Sequence, residues 1–67
     1  MLIGKEQTVL DIVSKYQQTI DVFRHYDKEV GVCICCEALF DPLEQIARRY
    51  DIDLTKLLID LNAAAKT

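Results

Sequence analysis

Gly31-Val32-Cys33-Ile34-Cys35-Cys36-Glu37-Ala38-Leu39-Phe40 holds all three cysteines of a 67-residue chain. The stretch lies near the middle, between two segments with helical periodicity. At its start, Gly31 is a natural helix stop, since glycine takes the left-handed conformation there without strain. At its far end, Asp41 precedes Pro42, and a residue before proline is steered away from helical geometry. Any helix between them must therefore end before Asp41. If residues 35–40 form a helical turn the chain has five helices, and otherwise four.

Outward toward the C-terminus, Asp41-Pro42-Leu43-Glu44 restarts the chain with an acidic N-cap, proline at the first helical position and Glu at the third. Leu43, Ile46, Ala47 and Tyr50 form an apolar stripe, so a helix is predicted over 42–50. Asp53 caps the next. Leu54, Leu57, Leu58, Leu61 and Ala65 extend that helix over 54–64, with fraying at Lys66 and Thr67. Toward the N-terminus, Ile20, Phe23 and Tyr26 recur every three residues with Val22 alongside, while Asp21, Arg24 and Lys28 fall on the wet side. That predicts a helix over 19–28, separated by the polar pair Gln17-Gln18 from an earlier one. The earlier helix, over 9–16, carries Val9, Ile12, Val13 and Tyr16 on one face. Thr8 is its N-cap, with Asp11 three residues on. Residues 1–7 are a lead-in, extended at Leu2-Ile3. No segment alternates with the period of a strand, and no repeat occurs. The expectation is one all-α domain over residues 1–67: a compact array of four or five short helices, with a cysteine-bearing turn between helices two and three.

Composition sets the class. The chain is 51% hydrophobic and 28% charged, a globular mix and not a disordered one. So short a chain buries only about 60% of its unfolded surface, and small domains of this kind often need a disulfide, a metal or a partner. The net charge is −3 and the longest basic run is Arg48-Arg49, which offers no footprint for a phosphate backbone. Nucleic acid is not an expected partner. Neither is a membrane, because no apolar run approaches the roughly 18 residues of a span and the N-terminus lacks a signal-peptide core. The expected compartment is the reducing cytoplasm. Cysteines there are more often free, catalytic or metal-bound than structural, and an odd count cannot pair completely.

Three chemistries are open at Cys33, Cys35 and Cys36. The first is thiol redox: Cys33 and Cys36 make a Cys-x-x-Cys, whose spacing brings two sulfurs together across one turn. Were a helix to start there, its dipole would lower the first thiol's pKa, making Cys33 the nucleophile and Cys36 the resolver. A bond between the neighbours Cys35 and Cys36 needs a strained ring. The second is metal: three thiolates and His25 add up to a Cys₃His set for zinc, and thiolates also suit iron. Adjacent Cys35 and Cys36 fit a closed mononuclear site poorly, and His25 belongs to another helix. The third is packing, since a free cysteine is a small buried hydrophobe. His25 alone reads as a surface residue, and Tyr16, Tyr26 and Tyr50 as core-edge residues with their hydroxyls in water. The acids Asp11, Asp41 and Asp53 serve as helix caps. No carboxylate pair, Ser-His-Asp set or glycine-rich phosphate loop is present, so an autonomous hydrolase or transferase is not expected.

A wider pattern runs through the chain. It comprises Thr8-Val9-Leu10-Asp11-Ile12-Val13-Ser14-Lys15-Tyr16, Thr19-Ile20-Asp21-Val22-Phe23, Cys33-Ile34-Cys35-Cys36, Leu43-Glu44-Gln45-Ile46-Ala47, Ile52-Asp53 and Leu57-Leu58-Ile59-Asp60-Leu61-Asn62. This order resembles a family of small bacterial and archaeal helical domains, part of which is described as the hybrid-cluster-protein-associated redox disulfide domain. It is also similar to the N-terminal domain of ScdA-type iron–sulfur cluster repair proteins. The resemblance implies a redox-active pair. In the redox members the turn reads Cys-x-Gly-Cys, which maps onto Cys33 and Cys36 with Cys35 in place of the glycine. In the repair domain the adjacent pair maps onto Cys35 and Cys36. Gln17 stands where a proline is usual, and Asp27-Lys28-Glu29-Val30 lengthens the link into the cysteine turn.

The functional expectation is a thiol–disulfide module in which Cys33 attacks, Cys36 resolves and Cys35 is a third thiol able to reshuffle the bond or link to another chain. It would need no cofactor. Its partner would be a protein of iron–sulfur or nitrogen-oxide stress metabolism, such as a hybrid-cluster or cluster-repair protein, and a homo-oligomer is a further option. The alternative is a non-enzymatic interaction module whose Cys33, Cys35 and Cys36 thiolates hold iron or zinc at a partner interface.

Overall fold

The chain winds into α1 (Val9–Lys15), a 3₁₀ turn (Gln17–Thr19), α2 (Ile20–Val30), α3 (Ile34–Glu37), α4 (Leu43–Arg49) and α5 (Leu54–Ala65). The structure, a computed structural model, describes residues 3–66, with no strand among them. The all-α array forms as the sequence leads one to expect, with five helices and the cysteines in the turn after α2. The fifth is α3, which starts one residue earlier than expected and stops before Ala38. The extension at Leu2 and the fraying at Thr67 lie outside the described residues. Lys66 keeps helical dihedrals, and its N–H donates to the Asn62 carbonyl at 3.2 Å.

Local chemistry explains most of the helix ends. Thr8 Oγ1 accepts from the Asp11 amide at 3.2 Å, and Asp53 Oδ1 accepts from Thr55 and Lys56 at 3.0 and 3.3 Å. Gly31, at φ 78°, closes α2 and donates to the Asp27 carbonyl at 2.8 Å. The polar break after α1 is itself wound. In it Thr19 is buried, and its hydroxyl donates to the Tyr16 carbonyl at 2.6 Å.

The start of α4 departs from the expected cap. Pro42 is extended (φ −69°, ψ 156°) and is itself the cap residue. The Asp41 carboxylate instead lies 3.6 Å from Arg49 Nη1. The first amides of any helix lack a partner within it, and here main-chain carbonyls of the lead-in supply one. Leu43 N–H donates to Gln7 O at 3.0 Å and Glu44 N–H to Lys5 O at 3.1 Å. In return, Leu10 N–H in the first turn of α1 donates to Leu39 O at 2.9 Å. Thr8 and Pro42 pair as an isolated antiparallel bridge between the two starts. Each helix start is thus closed by the chain just before the other.

Every helix contributes to one buried cluster: Val9 and Ile12 from α1, Phe23 and Tyr26 from α2, Ile34 from α3, Leu43 and Ile46 from α4, and Leu57 and Leu61 from α5. Ile3 joins them from the lead-in, fully buried and fastened by Asn62 of α5. Asn62 Oδ1 accepts from Ile3 N–H at 2.9 Å, and Nδ2 donates to Ile3 O at 3.2 Å and Leu58 O at 2.8 Å. Two tyrosine hydroxyls are not left to water. Tyr26, only 3% exposed, donates to Asp60 Oδ2 at 2.7 Å. The Tyr50 hydroxyl donates to Glu37 Oε2 at 3.2 Å and so ties α3 to the end of α4.

Candidate functional site

The cysteine turn is held on three sides. Gly31 reverses the chain at the end of α2. Asp27, one turn earlier, reaches forward so that its Oδ1 accepts from Ile34 N–H at 2.8 Å, supplying a partner that the first amide of α3 otherwise lacks. The Ile34 side chain is buried in the core, and Ala38 is buried just past α3. With its inner residues fixed, the turn presents Cys33 and Cys36 to solvent.

Cys33 and Cys36 are joined by a disulfide, with their Cα atoms 5.2 Å apart. Cys33 is also the N-cap of α3, and its Sγ accepts from Cys36 N–H at 3.3 Å. Sequence reasoning expects a helix dipole to favour a Cys33 thiolate. A four-residue helix carries little macrodipole. The local donor to that sulfur is the Cys36 amide.

Cys35 is the free thiol and is half-buried. Burial pushes its pKa above the usual thiol range, Asp27 pushes it further, and Arg24 opposes both. It stays protonated where an exposed thiol would begin to ionise, which lowers its reactivity as a nucleophile. All three cysteines border one groove of about 290 Å³, walled by Val13 and Ile20 and flanked by Arg24 and Asp27.

His25 lies elsewhere. It is exposed, its Nε2 is 3.5 Å from Glu29 Oε1 one helical turn on, and it meets the Tyr26 ring edge-on. It borders a separate groove with Lys56 and Asp60, so the structure does not bring it to the cysteines. Among the described residues no three His, Cys, Asp or Glu side chains gather as a metal-ligand set. With two of its three sulfurs bonded to each other, the donor set does not fit a mononuclear Cys₃His site.

Arg24 and Asp27 are the site residues that sequence reasoning missed, having read as a wet-side residue and part of a linker. Their spacing held a signal. Asp27 stands one turn before the stop at Gly31, where a side chain can reach the amides that follow.

No known family, curated protein or solved structure matches the chain. No helix among the described residues is long and apolar enough to cross a membrane.

Proposed function

We propose that the chain is a thiol–disulfide exchange module that cycles the Cys33–Cys36 bond against a partner protein. The observation that carries this reading is an exposed disulfide across one turn, with a main-chain amide aimed at the first sulfur. A buried bond would staple the core; this one is open to attack.

In the reduced protein the Cys33 thiolate attacks a partner disulfide and forms a mixed disulfide. One partner sulfur leaves as a thiolate. The Cys36 thiolate then attacks Cys33 Sγ, the Cys33–Cys36 bond forms, and the partner departs as a dithiol. Two electrons pass from module to partner, and the reverse sequence takes them back. Cys35, protonated and half-buried, stays out of the first exchange and remains available to reshuffle the bond or join another chain. The motif resemblance supports a cytoplasmic partner that handles iron–sulfur clusters or nitrogen oxides.

The test is thiol counting by alkylation and intact mass on protein purified without reductant and again after reduction, with metal analysis alongside. The expected result is one reactive thiol before reduction, mapped to Cys35, and three after, with no metal. A bond that does not re-form at a cytosolic potential sinks the reading. So does stoichiometric metal that masks the thiols until chelated, which would put a metal-bearing interaction module in its place.

A further inference from the structure

The groove beside the disulfide holds two opposite charges on one helix face. Arg24 and Asp27 stand three residues apart on α2 and both border it. They form no salt bridge with each other; among the described residues the ion pairs are His25–Glu29 and Arg49–Asp41. Asp27 uses Oδ1 on the Ile34 amide, and Arg24 is exposed. Both act on the Cys35 thiol with opposite sign, so both fields reach that thiol. Apolar walls from Val13 and Ile20 complete the space.

We propose that this groove takes a small zwitterionic aminothiol, of the cysteine type, as the reductant that returns the disulfide to its dithiol. The inference rests on the exchange reading above and supplies its second half-reaction. Size favours a small molecule over a partner segment: the groove is about 290 Å³, just under the usual range of about 300–1,000 Å³ for ligand sites. Charge favours a zwitterion. Its carboxylate meets Arg24 and its ammonium meets Asp27. Its ammonium offsets one negative charge, so in the reactive thiolate form it meets less of the repulsion from the chain's net charge of −3 than an N-acylated thiol does.

The aminothiol's thiolate attacks Cys33 Sγ, the Cys33–Cys36 bond breaks, and Cys36 leaves as a thiolate that takes up a proton. A second aminothiol attacks the sulfur of the first in the mixed disulfide, and Cys33 leaves in turn. Two aminothiols become one symmetrical disulfide, and two electrons and two protons pass to Cys33 and Cys36.

The test follows reduction of the oxidised full chain by acid quench, alkylation and mass. The probes are L-cysteine, its methyl ester, N-acetyl-L-cysteine and 2-mercaptoethanol. Each rate is divided by that thiol's rate with hydroxyethyl disulfide, which removes intrinsic nucleophilicity. L-cysteine is expected to exceed the ester and the N-acetyl form by about fivefold each, the scale of one partly exposed ion pair. Arg24→Gln should abolish the advantage over the ester alone. Asp27→Asn should abolish the advantage over the N-acetyl form alone, its amide oxygen still accepting from Ile34. Lys28→Gln should change neither. Equal normalised rates for all four thiols, or an advantage indifferent to Arg24→Gln and Asp27→Asn, overturn the aminothiol site and leave exchange with a protein intact. Failure of every thiol to reduce the bond overturns the exchange reading itself.

Discussion

Asn62 commits both ends of its amide to the main chain, pairing with Ile3 on one side and Leu58 on the other. Removing it leaves the buried Ile3 N–H without an acceptor. Asn62→Ala is therefore expected to cost about 3 kcal/mol, combining unmade hydrogen bonds with a small cavity. Urea unfolding measures it, and a loss well under 1 kcal/mol would mean that water or a shifted lead-in replaces the amide. Tyr26 gives a pH dependence. Burial, then the Asp60 carboxylate, raises its phenol above the ordinary 10.0. Above pH 10 the unfolded chain loses that proton while the folded chain keeps it, so stability falls as pH rises. Tyr50 moves the same way, raised by burial, opposed by Arg49 and reinforced by Glu37. Tyr26→Phe should flatten the decline between pH 10 and 11 in urea titrations, and an unchanged slope would remove Tyr26 as its source. Caps such as Thr8, Gly31 and Asp53 were legible because their partners lie within a few residues. Asn62 appeared only as part of a motif, since its partner Ile3 is 59 positions away.

At the scale of the elements, two connections run through left-handed backbone, and the residues there differ. Gly31 sits at φ 78° and Asp51 at φ 56°. A Cβ built on Gly31 meets nothing within 4 Å, so Gly31→Ala tests backbone conformation without steric clash. It should lose about 1 kcal/mol. Asp51→Gly relieves the same strain and should gain up to about 1 kcal/mol, less the entropy that glycine adds to the unfolded chain. Thermal melts of the two variants should move in opposite directions. A stabilised Gly31→Ala would show that the turn relaxes out of the left-handed region. The start of α4 was legible as a position but not as a mechanism. Asp41-Pro42-Leu43-Glu44 reads as a local cap, whereas the carbonyls of Lys5 and Gln7 take the amides, more than thirty residues away in sequence. The site divides the same way. The Cys33–Cys36 pairing was one of several that spacing allowed. Asp27's reach to the Ile34 amide was readable from its place one turn before Gly31, whereas Arg24's place beside the cysteines depends on how α3 folds back on α2, which spacing along α2 does not reveal.

For the whole molecule, the question is whether the disulfide is a staple or a working bond. It closes a loop of only three residues' separation, for which chain entropy gives about 2 kcal/mol of stabilisation at most. A domain of this size has about 3–10 kcal/mol in total, so losing the bond weakens the fold without ending it. Its neighbours are anchored by contacts other than the sulfurs: Ile34 and Ala38 are buried, and Asp27 Oδ1 accepts from the first amide of α3. Reduction should lower the unfolding free energy by about 2 kcal/mol or less and leave the helical circular dichroism unchanged. Cys33→Ser combined with Cys36→Ser should match the reduced protein within error. A reduced chain that loses cooperative unfolding would instead make the bond a structural staple, unsuited to cycling, because each turnover would unfold the module. The proposed exchange needs both states folded, and the way α3 is anchored apart from its sulfurs is what would make that attainable.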